Sequence, residues 1–138
     1  MTAQDDVIAR LLQQFGSEAG DLPWDNAKAL GVTPYEVVII ASMIEEEAKV
    51  PDERAKIARV IYNRLYLGMP LQIDASLYYQ QDSSRPFSEL RQLDTPYNTY
   101  MYAGLPPTPI ANPGRASIQA ALNPAANPSV EPWLIPYR

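Results

Sequence analysis

The stretch Val37–Lys49, which reads VVIIASMIEEEAK, constrains the fold more than any other part of the chain. Ahead of it, Thr33 suits the N-cap position of a helix and Pro34 suits the first helical position. Glu36 follows Thr33 by three residues, as a capping box requires. The sequence therefore predicts a helix from about Pro34 to Ala48. Because apolar residues occupy nearly its whole circumference, we expect a buried central helix.

Three carboxylates, Glu45, Glu46 and Glu47, stand at the C-terminal end of this predicted helix, where the helix dipole disfavours negative charge. A helical wheel places Glu46 opposite the main apolar stripe, in solvent. Glu45 falls on the apolar side, between Val38 and Ala41. Such a carboxyl is either paired or open to water at the helix end, or it is partly desolvated and can hold a proton near neutral pH. The residues alone leave both interpretations open.

The chain contains no histidine and no cysteine. This excludes disulfides, thiolate metal sites, most zinc sites and the catalytic triads that need histidine. In an enzyme of this composition the acid–base chemistry falls to carboxylates, and assistance from tyrosine or lysine stays open. We expect neither a metal nor another cofactor. The net charge of −5 argues against a nucleic-acid partner. No run of about 18 apolar residues and no signal peptide is visible, so the chain itself is predicted to be soluble.

Helical periodicity and turn residues predict further short helices on both sides of the central one. Asp74 is interpreted as an N-cap, because its short carboxylate can accept from the first turn of the segment that follows. The predicted helices are Asp5–Phe15, Trp24–Leu30 closed by Gly31, a basic helix that starts at Pro51 and is ended by Gly68, the short segment Ala75–Gln80, and Arg115–Leu122. The region around Trp133 is a candidate strand.

The segment Thr95–Gly114, which reads TPYNTYMYAGLPPTPIANPG, is rich in proline and tyrosine. No regular helix can cross it, because proline removes backbone donors and clashes with the preceding turn. The segment is too apolar and aromatic for a free linker, so we predict an ordered loop packed on the body of the domain. Its aromatic faces, amides and hydroxyls suit sugar rings, and they suit a rigid interaction loop equally well.

Four stretches of the chain carry specific combinations of residues. They are ASMIEEE at Ala41–Glu47, RVIYNRLYLGMPLQIDAS at Arg59–Ser76, TPYNTY at Thr95–Tyr100 and GLPPTPIANPGRASIQAALNPA at Gly104–Ala125. In this order they resemble the motifs of the endolytic murein transglycosylases of the MltG/YceG-like family. The resemblance covers roughly residues 34–128, and the four motifs together are far more specific than any one of them.

The resemblance implies a lyase that cuts peptidoglycan glycan strands internally. The bond broken is the β-1,4 link from N-acetylmuramic acid to N-acetylglucosamine, and the product carries a 1,6-anhydro ring. Glu45 matches the family's catalytic glutamate, which acts first as acid and then as base. The helical wheel had already placed the same residue on the apolar side, which is an independent argument for it.

The resemblance also implies which other residues form the site. We expect the groove for the glycan to be lined by Gln72, Asp74, Tyr97, Asn98, Thr99 and Asn112, with Glu47 and Asn63 supporting it from behind. The sequence departs from the family pattern at Glu46, where a lysine is common, and at Thr108, where a glycine is common. The change at Glu46 alters the electrostatic field near Glu45, and the change at Thr108 restricts the proline-rich loop.

We expect an α+β fold that is mostly helical, with a central buried helix, few short strands, a proline-rich ordered loop and a lysozyme-like active-site arrangement. Residues 1–138 are predicted to form a single catalytic domain. Its parts are a helical lead-in (1–32), the family-matching core (33–128) and a truncated C-terminal strand region (129–138).

The family carries a membrane anchor and a LysM-like subdomain that this sequence lacks. The full-length form is therefore expected at the outer face of the cytoplasmic membrane, in the cell envelope, with glycan strands as substrate and cell-wall synthesis proteins as candidate partners. One alternative is a truncated, catalytically weak peptidoglycan-binding module. Another is a glycosidase that uses water, with Glu45 and Asp74 as its carboxylate pair.

Overall fold

The structure, a computed structural model, describes residues 20–127, so the predicted helix Asp5–Phe15 and the candidate strand near Trp133 lie outside the described residues. Within this range the chain is mostly helical, as expected. The helices are α1 (Asn26–Leu30), α2 (Pro34–Glu47), α3 (Glu53–Leu67), α4 (Asp74–Tyr78), α5 (Phe87–Leu90) and α6 (Arg115–Leu122). None of these helices is long and apolar enough to cross a bilayer.

Strand pairing in the described residues is limited to an isolated antiparallel bridge between Pro70 and Ala103. The expected few short strands are therefore not formed between residues 20 and 127. Prolines and short helices dominate the region after α3. Proline has no N–H to donate, and helical backbone groups bond within their own helix, so no ladder of hydrogen bonds between strands can form in this part of the described chain.

The capping box at the start of α2 forms as predicted. The Glu36 backbone N–H donates to Thr33 Oγ1 at 3.1 Å, and the Thr33 N–H donates to Glu36 Oε1 at 2.9 Å. Pro34 occupies the first helical position, where its missing N–H costs nothing. Two backbone donors that a helix start would otherwise leave unpaired are thus satisfied by local sequence alone.

Helix α2 forms the inner layer of the domain. Every residue from Val37 to Ile44 is buried, and α6 and α3 pack against the helix. Its last turn emerges unevenly: Glu45 is half-buried, Glu46 is exposed, and Glu47 keeps only 5% of its surface exposed. The wheel placement of Glu45 and Glu46 is therefore confirmed.

Glycines end two of the helices at the expected places. Gly31 (φ 79°) follows α1 and Gly68 (φ 69°) follows α3, both in the left-handed conformation that glycine adopts without strain. Helix α3 begins at Glu53, later than predicted, because Pro51 and Asp52 form a turn ahead of it.

Helix α6 lies across α2 and is held at its C-terminal end by side chains from two other helices. The Tyr62 phenol of α3 donates to the Ala121 carbonyl at 2.6 Å, and Asn26 Nδ2 of α1 donates to the Leu122 carbonyl at 3.1 Å. Both carbonyls belong to the last turn of α6, which has no intrahelical donors for them. The short helix is therefore fixed by its surroundings.

The proline-rich segment Thr95–Gly114 contains no helix and is packed on the body, as predicted. Its second half is attached to α2 at two points. The Ile110 N–H donates to Ser42 Oγ at 3.0 Å, and the Gly114 N–H donates to Glu45 Oε1 at 2.8 Å. Residues 110–114 therefore cross the C-terminal end of α2 in a fixed register.

Candidate active site

The carboxyl group of Glu45 is held through one of its two oxygens. Oε1 accepts the backbone N–H of Gly114 at 2.8 Å and the hydroxyl of Ser117 at 3.0 Å. No donor among residues 20–127 forms a hydrogen bond with Oε2. A half-buried carboxyl with one oxygen fixed and the other available is suited to proton transfer.

The position of Glu45 resolves the conflict between its charge and the dipole of α2. The carboxyl lies at the N-terminal end of α6, where Gly114 is the N-cap residue and has no side chain to cap the helix. The positive end of α6 favours a negative charge at this point. A Cβ atom on residue 114 would lie 3.4 Å from Glu45 Oε1, which is an ordinary contact distance.

An open cleft of about 480 Å³ lies beside this end of α2. Its walls come from α2, from α4 and the residues after it, and from the proline-rich segment. The lining residues are Glu46, Ala75, Tyr78, Tyr79, Gln80 and Ile110. Glu45 does not line this cleft, but the next residue in the chain, Glu46, does. A larger cleft of about 670 Å³ lies at the opposite end of α2, near Thr33, Tyr66 and Pro106, away from the acid.

Tyr97 stands behind the wall of the smaller cleft. Its ring lies against Tyr79, with 4.8 Å between ring centroids and 48° between planes, and its hydroxyl bonds to Thr108 Oγ1 at 2.7 Å. Thr108, which departs from the family pattern, thereby ties the proline-rich segment to this aromatic pair. Tyr97 is close to the cleft, as its predicted role requires, but its phenol is engaged within the chain.

Helix α4 is flanked by two glutamines in the left-handed backbone conformation, Gln72 (φ 56°) and Gln80 (φ 64°). Both are exposed. Residues other than glycine seldom adopt this conformation outside asparagine and aspartate, and it costs about 1–3 kcal/mol where it occurs. Such strain is typical of binding sites, and Gln80 lines the cleft.

Asp74 does not cap α4, contrary to the prediction. The N-cap residue is Ile73, and Asp74 is the first residue of the helix, without a side-chain bond to the first turn. Its Oδ1 instead accepts a hydrogen bond from the phenol of Tyr100. The competing partner is 26 residues away in sequence, so local spacing could not show it.

The Tyr100 phenol is bonded to Asp74, and its pKa also responds to the charge of a second predicted residue, Glu47. Burial raises the pKa of the Tyr100 phenol well above its usual value, and the hydrogen bond and charge of Asp74 and the charge of Glu47 raise it further. Arg91, whose guanidinium carbon lies 5.0 Å from the ring centroid, opposes this shift. The phenol therefore stays protonated across the neutral range and remains a donor to Asp74.

Comparison with known sequences assigns the chain to a family. A sequence-family model described as the YceG-like family matches residues 1–130. This chain belongs to the YceG-like family. A protein from Bacillus subtilis named endolytic murein transglycosylase is 39% identical over 125 residues, covering 89% of this chain and 34% of the relative. A protein of the same name from Streptococcus pneumoniae is 33% identical over 109 residues, covering 74% of this chain and 20% of the relative.

The fold of this YceG-like chain is similar to a solved structure of the same family. The crystal structure of a YceG-like protein from Listeria monocytogenes matches with a TM-score of 0.67 and 38% sequence identity, covering 74% of this chain and 34% of that one. The chain therefore spans about a third or less of the length of these relatives.

Asn98, a predicted groove residue of this YceG-like chain, uses its side chain to bond backbone groups of its own loop. The Asn98 amide donates to the carbonyls of Arg91 and Leu93 and accepts the N–H groups of Tyr100 and Met101, which uses its full hydrogen-bonding capacity. Asn98 is 1% exposed. We therefore assign it to the folding of the loop, which differs from the expected contact with a glycan.

Thr99 has a similar role in joining the loop to α4. Its hydroxyl accepts the Ile73 N–H at 2.9 Å and lies 3.0 Å from the Ser76 hydroxyl, and its carbonyl accepts the Gln72 N–H at 2.9 Å. These bonds fix Gln72 and the start of α4 relative to the loop. Thr99 thus supports the groove from inside rather than lining it.

The two remaining predicted asparagines differ in exposure. Asn63 is 7% exposed, and its Nδ2 donates to Asn127 Oδ1 at 2.8 Å, so it holds the segment after α6 against α3. No hydrogen bond within residues 20–127 links it to Glu45. Asn112 is exposed on the crossing segment between Ile110 and Gly114, and its amide forms no hydrogen bond with residues 20–127. Its amide is therefore available to a ligand.

The sequence prediction missed Ser117 and Tyr100. A signal for Ser117 was present: it shares a face of the predicted helix Arg115–Leu122 with Ala120 and Ala121, so its hydroxyl had to be buried and needed a partner. Tyr100 had no comparable local signal. Residues 20–127 contain no group of three or more carboxylates that could hold a metal ion.

Proposed function

We propose that this chain is the catalytic part of a peptidoglycan lytic transglycosylase that cuts glycan strands internally, with Glu45 as its acid and base. The observation that supports this most is the carboxyl of Glu45, which is fixed on Oε1 while Oε2 has no hydrogen bond to residues 20–127. The next residue, Glu46, lines an open cleft. The curated relatives from Bacillus subtilis and Streptococcus pneumoniae are named endolytic murein transglycosylases. The position of Glu45 in the family motif supports the same role.

In the first step of the proposed mechanism, protonated Glu45 gives its proton to the glycosidic oxygen between N-acetylmuramic acid and N-acetylglucosamine. The bond from C1 to that oxygen breaks, and the released N-acetylglucosamine carries a hydroxyl at C4. Positive charge that develops at C1 is stabilised by the acetamido group of the same sugar. The partly shielded position of the carboxyl strengthens this proton transfer.

In the second step, Glu45 is a carboxylate and accepts the proton of the C6 hydroxyl of the muramic residue. The C6 oxygen bonds to C1 and closes the 1,6-anhydro ring, and the carboxyl is protonated again for the next cycle. Atoms balance without water, because the sugar's own hydroxyl replaces it. No second carboxylate is therefore compulsory, in contrast to hydrolytic glycosidases.

The sugar rings adjoining the broken bond are proposed to lie along the cleft beside α2. Tyr78 and Tyr79 offer flat aromatic faces in the cleft, and the amide of Gln80 offers a donor and an acceptor to hydroxyl and acetamido groups. Gln72 and Asn112 are exposed outside the lining of the cleft, and we propose that their amides contact sugars further along the strand. Pyranose rings combine apolar faces with polar rims, and this combination of side chains matches both.

The setting of the proposed activity is the cell envelope. Because the relatives are much longer than this chain, a membrane anchor, the LysM-like subdomain and partners in cell-wall synthesis belong to the full-length protein that we propose. The division of residues 1–138 into a lead-in, a catalytic core and a C-terminal strand region is part of the same proposal.

Digestion of purified glycan strands followed by mass analysis of the products tests the proposal. Internal fragments with 1,6-anhydro ends support it. Fragments with free reducing ends would instead indicate a glycosidase that uses water. If both the wild type and Glu45→Gln bind strands alike and neither releases fragments, the chain is a binding module.

A further inference from the structure

Three buried serines of the domain use their hydroxyls in two different ways. Ser42 and Ser76 each donate to the backbone carbonyl three residues earlier, at 2.7 Å and 2.9 Å. This is the usual local bond of a serine within or next to a helix. Ser117, which is 0% exposed, donates instead to Glu45 Oε1 on another helix, 72 residues away. Its hydroxyl is committed to the acid and not to its own backbone.

We propose that Ser117 is a positioning residue for the acid, and that together with the Gly114 N–H it makes Oε2 the oxygen that gives and receives the proton. This inference rests on the proposed function. A backbone N–H can only donate, so its bond to Oε1 requires that oxygen to be an acceptor in both protonation states. The Ser117 hydroxyl points at the same oxygen.

The two bonds also fix the orientation of the carboxyl plane. A free glutamate side chain rotates about its last bond with little preference, because that torsion is broad and two-fold. With Oε1 held at 2.8 Å and 3.0 Å from two donors on the first turn of α6, that rotation is prevented. The oxygen that loses a proton to the leaving sugar is therefore the one that faces the C6 hydroxyl in the second step.

The bonding pattern makes a prediction about the chemical step. Loss of the Ser117 hydroxyl removes one of the two bonds that hold Oε1, so the oxygen that exchanges the proton is no longer fixed. A serine that does not contact the acid has no such effect on catalysis. Ser84 provides this comparison, because it is exposed and its hydroxyl bonds to Asp82 rather than to the acid.

The experiment compares Ser117→Ala with Ser84→Ala in digestion of purified glycan strands. For Ser117→Ala we expect kcat to fall by about 10-fold or more, the effect of one hydrogen bond to a charged group, with apparent KM within about two-fold. Ser84→Ala keeps the wild-type kcat. Ser117→Cys, a weaker donor of similar size, is expected to have an intermediate kcat.

A double-mutant cycle with Glu45→Gln tests the role of Ser117 separately from the proposed transglycosylase activity. In the Glu45→Gln background, Ser117→Ala has no further effect on the rate if the serine acts through the acid. An equal fall in both backgrounds, or a Ser117→Ala variant with wild-type kcat, overturns the role of Ser117 alone. A wild-type chain that releases no anhydro fragments overturns the proposed function itself, and the inference with it.

Discussion

Ser42 and Glu45 lie one helical turn apart on α2, and each accepts a hydrogen bond from the same passing segment. Ser42 Oγ accepts the Ile110 N–H at 3.0 Å, and Glu45 Oε1 accepts the Gly114 N–H at 2.8 Å. The register of the proline-rich segment relative to the acid is therefore set at two points. Proline cannot donate backbone hydrogen bonds, so these two attachments use donors that the segment has in short supply.

Replacement of Ser42 by alanine tests this attachment. The Ile110 N–H would lose its acceptor in a buried position, and we expect a loss of about 1–3 kcal/mol in the free energy of unfolding. Urea denaturation measures it. Ser84→Ala, at an exposed turn, is the matched control and should change the free energy by less than about 0.5 kcal/mol. A Ser42→Ala protein as stable as the control would contradict the assigned bond.

Glu45→Gln separates the acid from its structural contacts. The amide oxygen of glutamine can still accept from Gly114 and Ser117, so the fold should be retained while the proton donor is lost. We expect release of glycan fragments to fall by about 100-fold or more, with circular dichroism unchanged. Glu89→Gln, on an exposed ion pair of α5, is the control and should keep full activity. Retention of wild-type activity by Glu45→Gln would remove this residue from the mechanism.

Alanine substitution is expected to lower the stability of the protein at Asn98 and the binding of glycan strands at Asn112. Asn98→Ala leaves several backbone groups of a buried turn unpaired and should destabilise the protein by about 2 kcal/mol or more. Asn112→Ala removes an exposed amide and should leave unfolding within about 0.5 kcal/mol while reducing the binding of glycan strands. Thermal unfolding and pull-down with insoluble peptidoglycan measure the two effects. Equal loss of stability in both variants would contradict the distinction drawn between them.

Alkaline pH should destabilise the fold through Tyr62. Burial raises the pKa of its phenol far above the ordinary value of 10.0, and the nearby Tyr66 raises it further. The unfolded chain therefore loses this proton at a lower pH than the native protein does, and the unfolded state binds fewer protons. By linkage, the free energy of unfolding is unaffected below about pH 10 and declines above it.

Urea unfolding at several values between about pH 8 and about pH 11 measures this decline. Tyr62→Phe should be less stable at neutral pH, because the Ala121 carbonyl loses its donor, and its stability should decline less steeply above about pH 10. Tyr100 contributes in the same direction, so the decline is reduced and not abolished. A stability that rises with pH in this window would show the assigned sign to be wrong.

The sequence was most informative where the partners of a residue are its chain neighbours. Thr33 and Glu36 form the predicted capping box, and Gly31 and Gly68 end helices as predicted, because each of these features needs only a few consecutive residues. The burial of Glu45 on one side of α2 also followed from periodicity alone.

The predictions were weakest where a polar side chain had to choose between a local and a distant partner. Asp74 could cap α4 but bonds to Tyr100, and Asn98 could face a ligand but bonds to the loop that contains it. The contact between Ser117 and Glu45 spans 72 residues. Each choice depends on how the helices pack, and one-dimensional spacing does not contain that information.

The cap that Glu45 provides for α6 has a consequence for how the molecule would tolerate damage. An eight-residue helix is too short to stay wound in water by itself, and α6 has no capping side chain of its own. The Glu45 carboxyl would thus serve both in proton transfer and in holding the N-terminal end of α6. Glu45→Ala removes the carboxyl, so it should destabilise α6 as well as stop turnover. Only the isosteric Glu45→Gln variant therefore tests the proton transfer by itself.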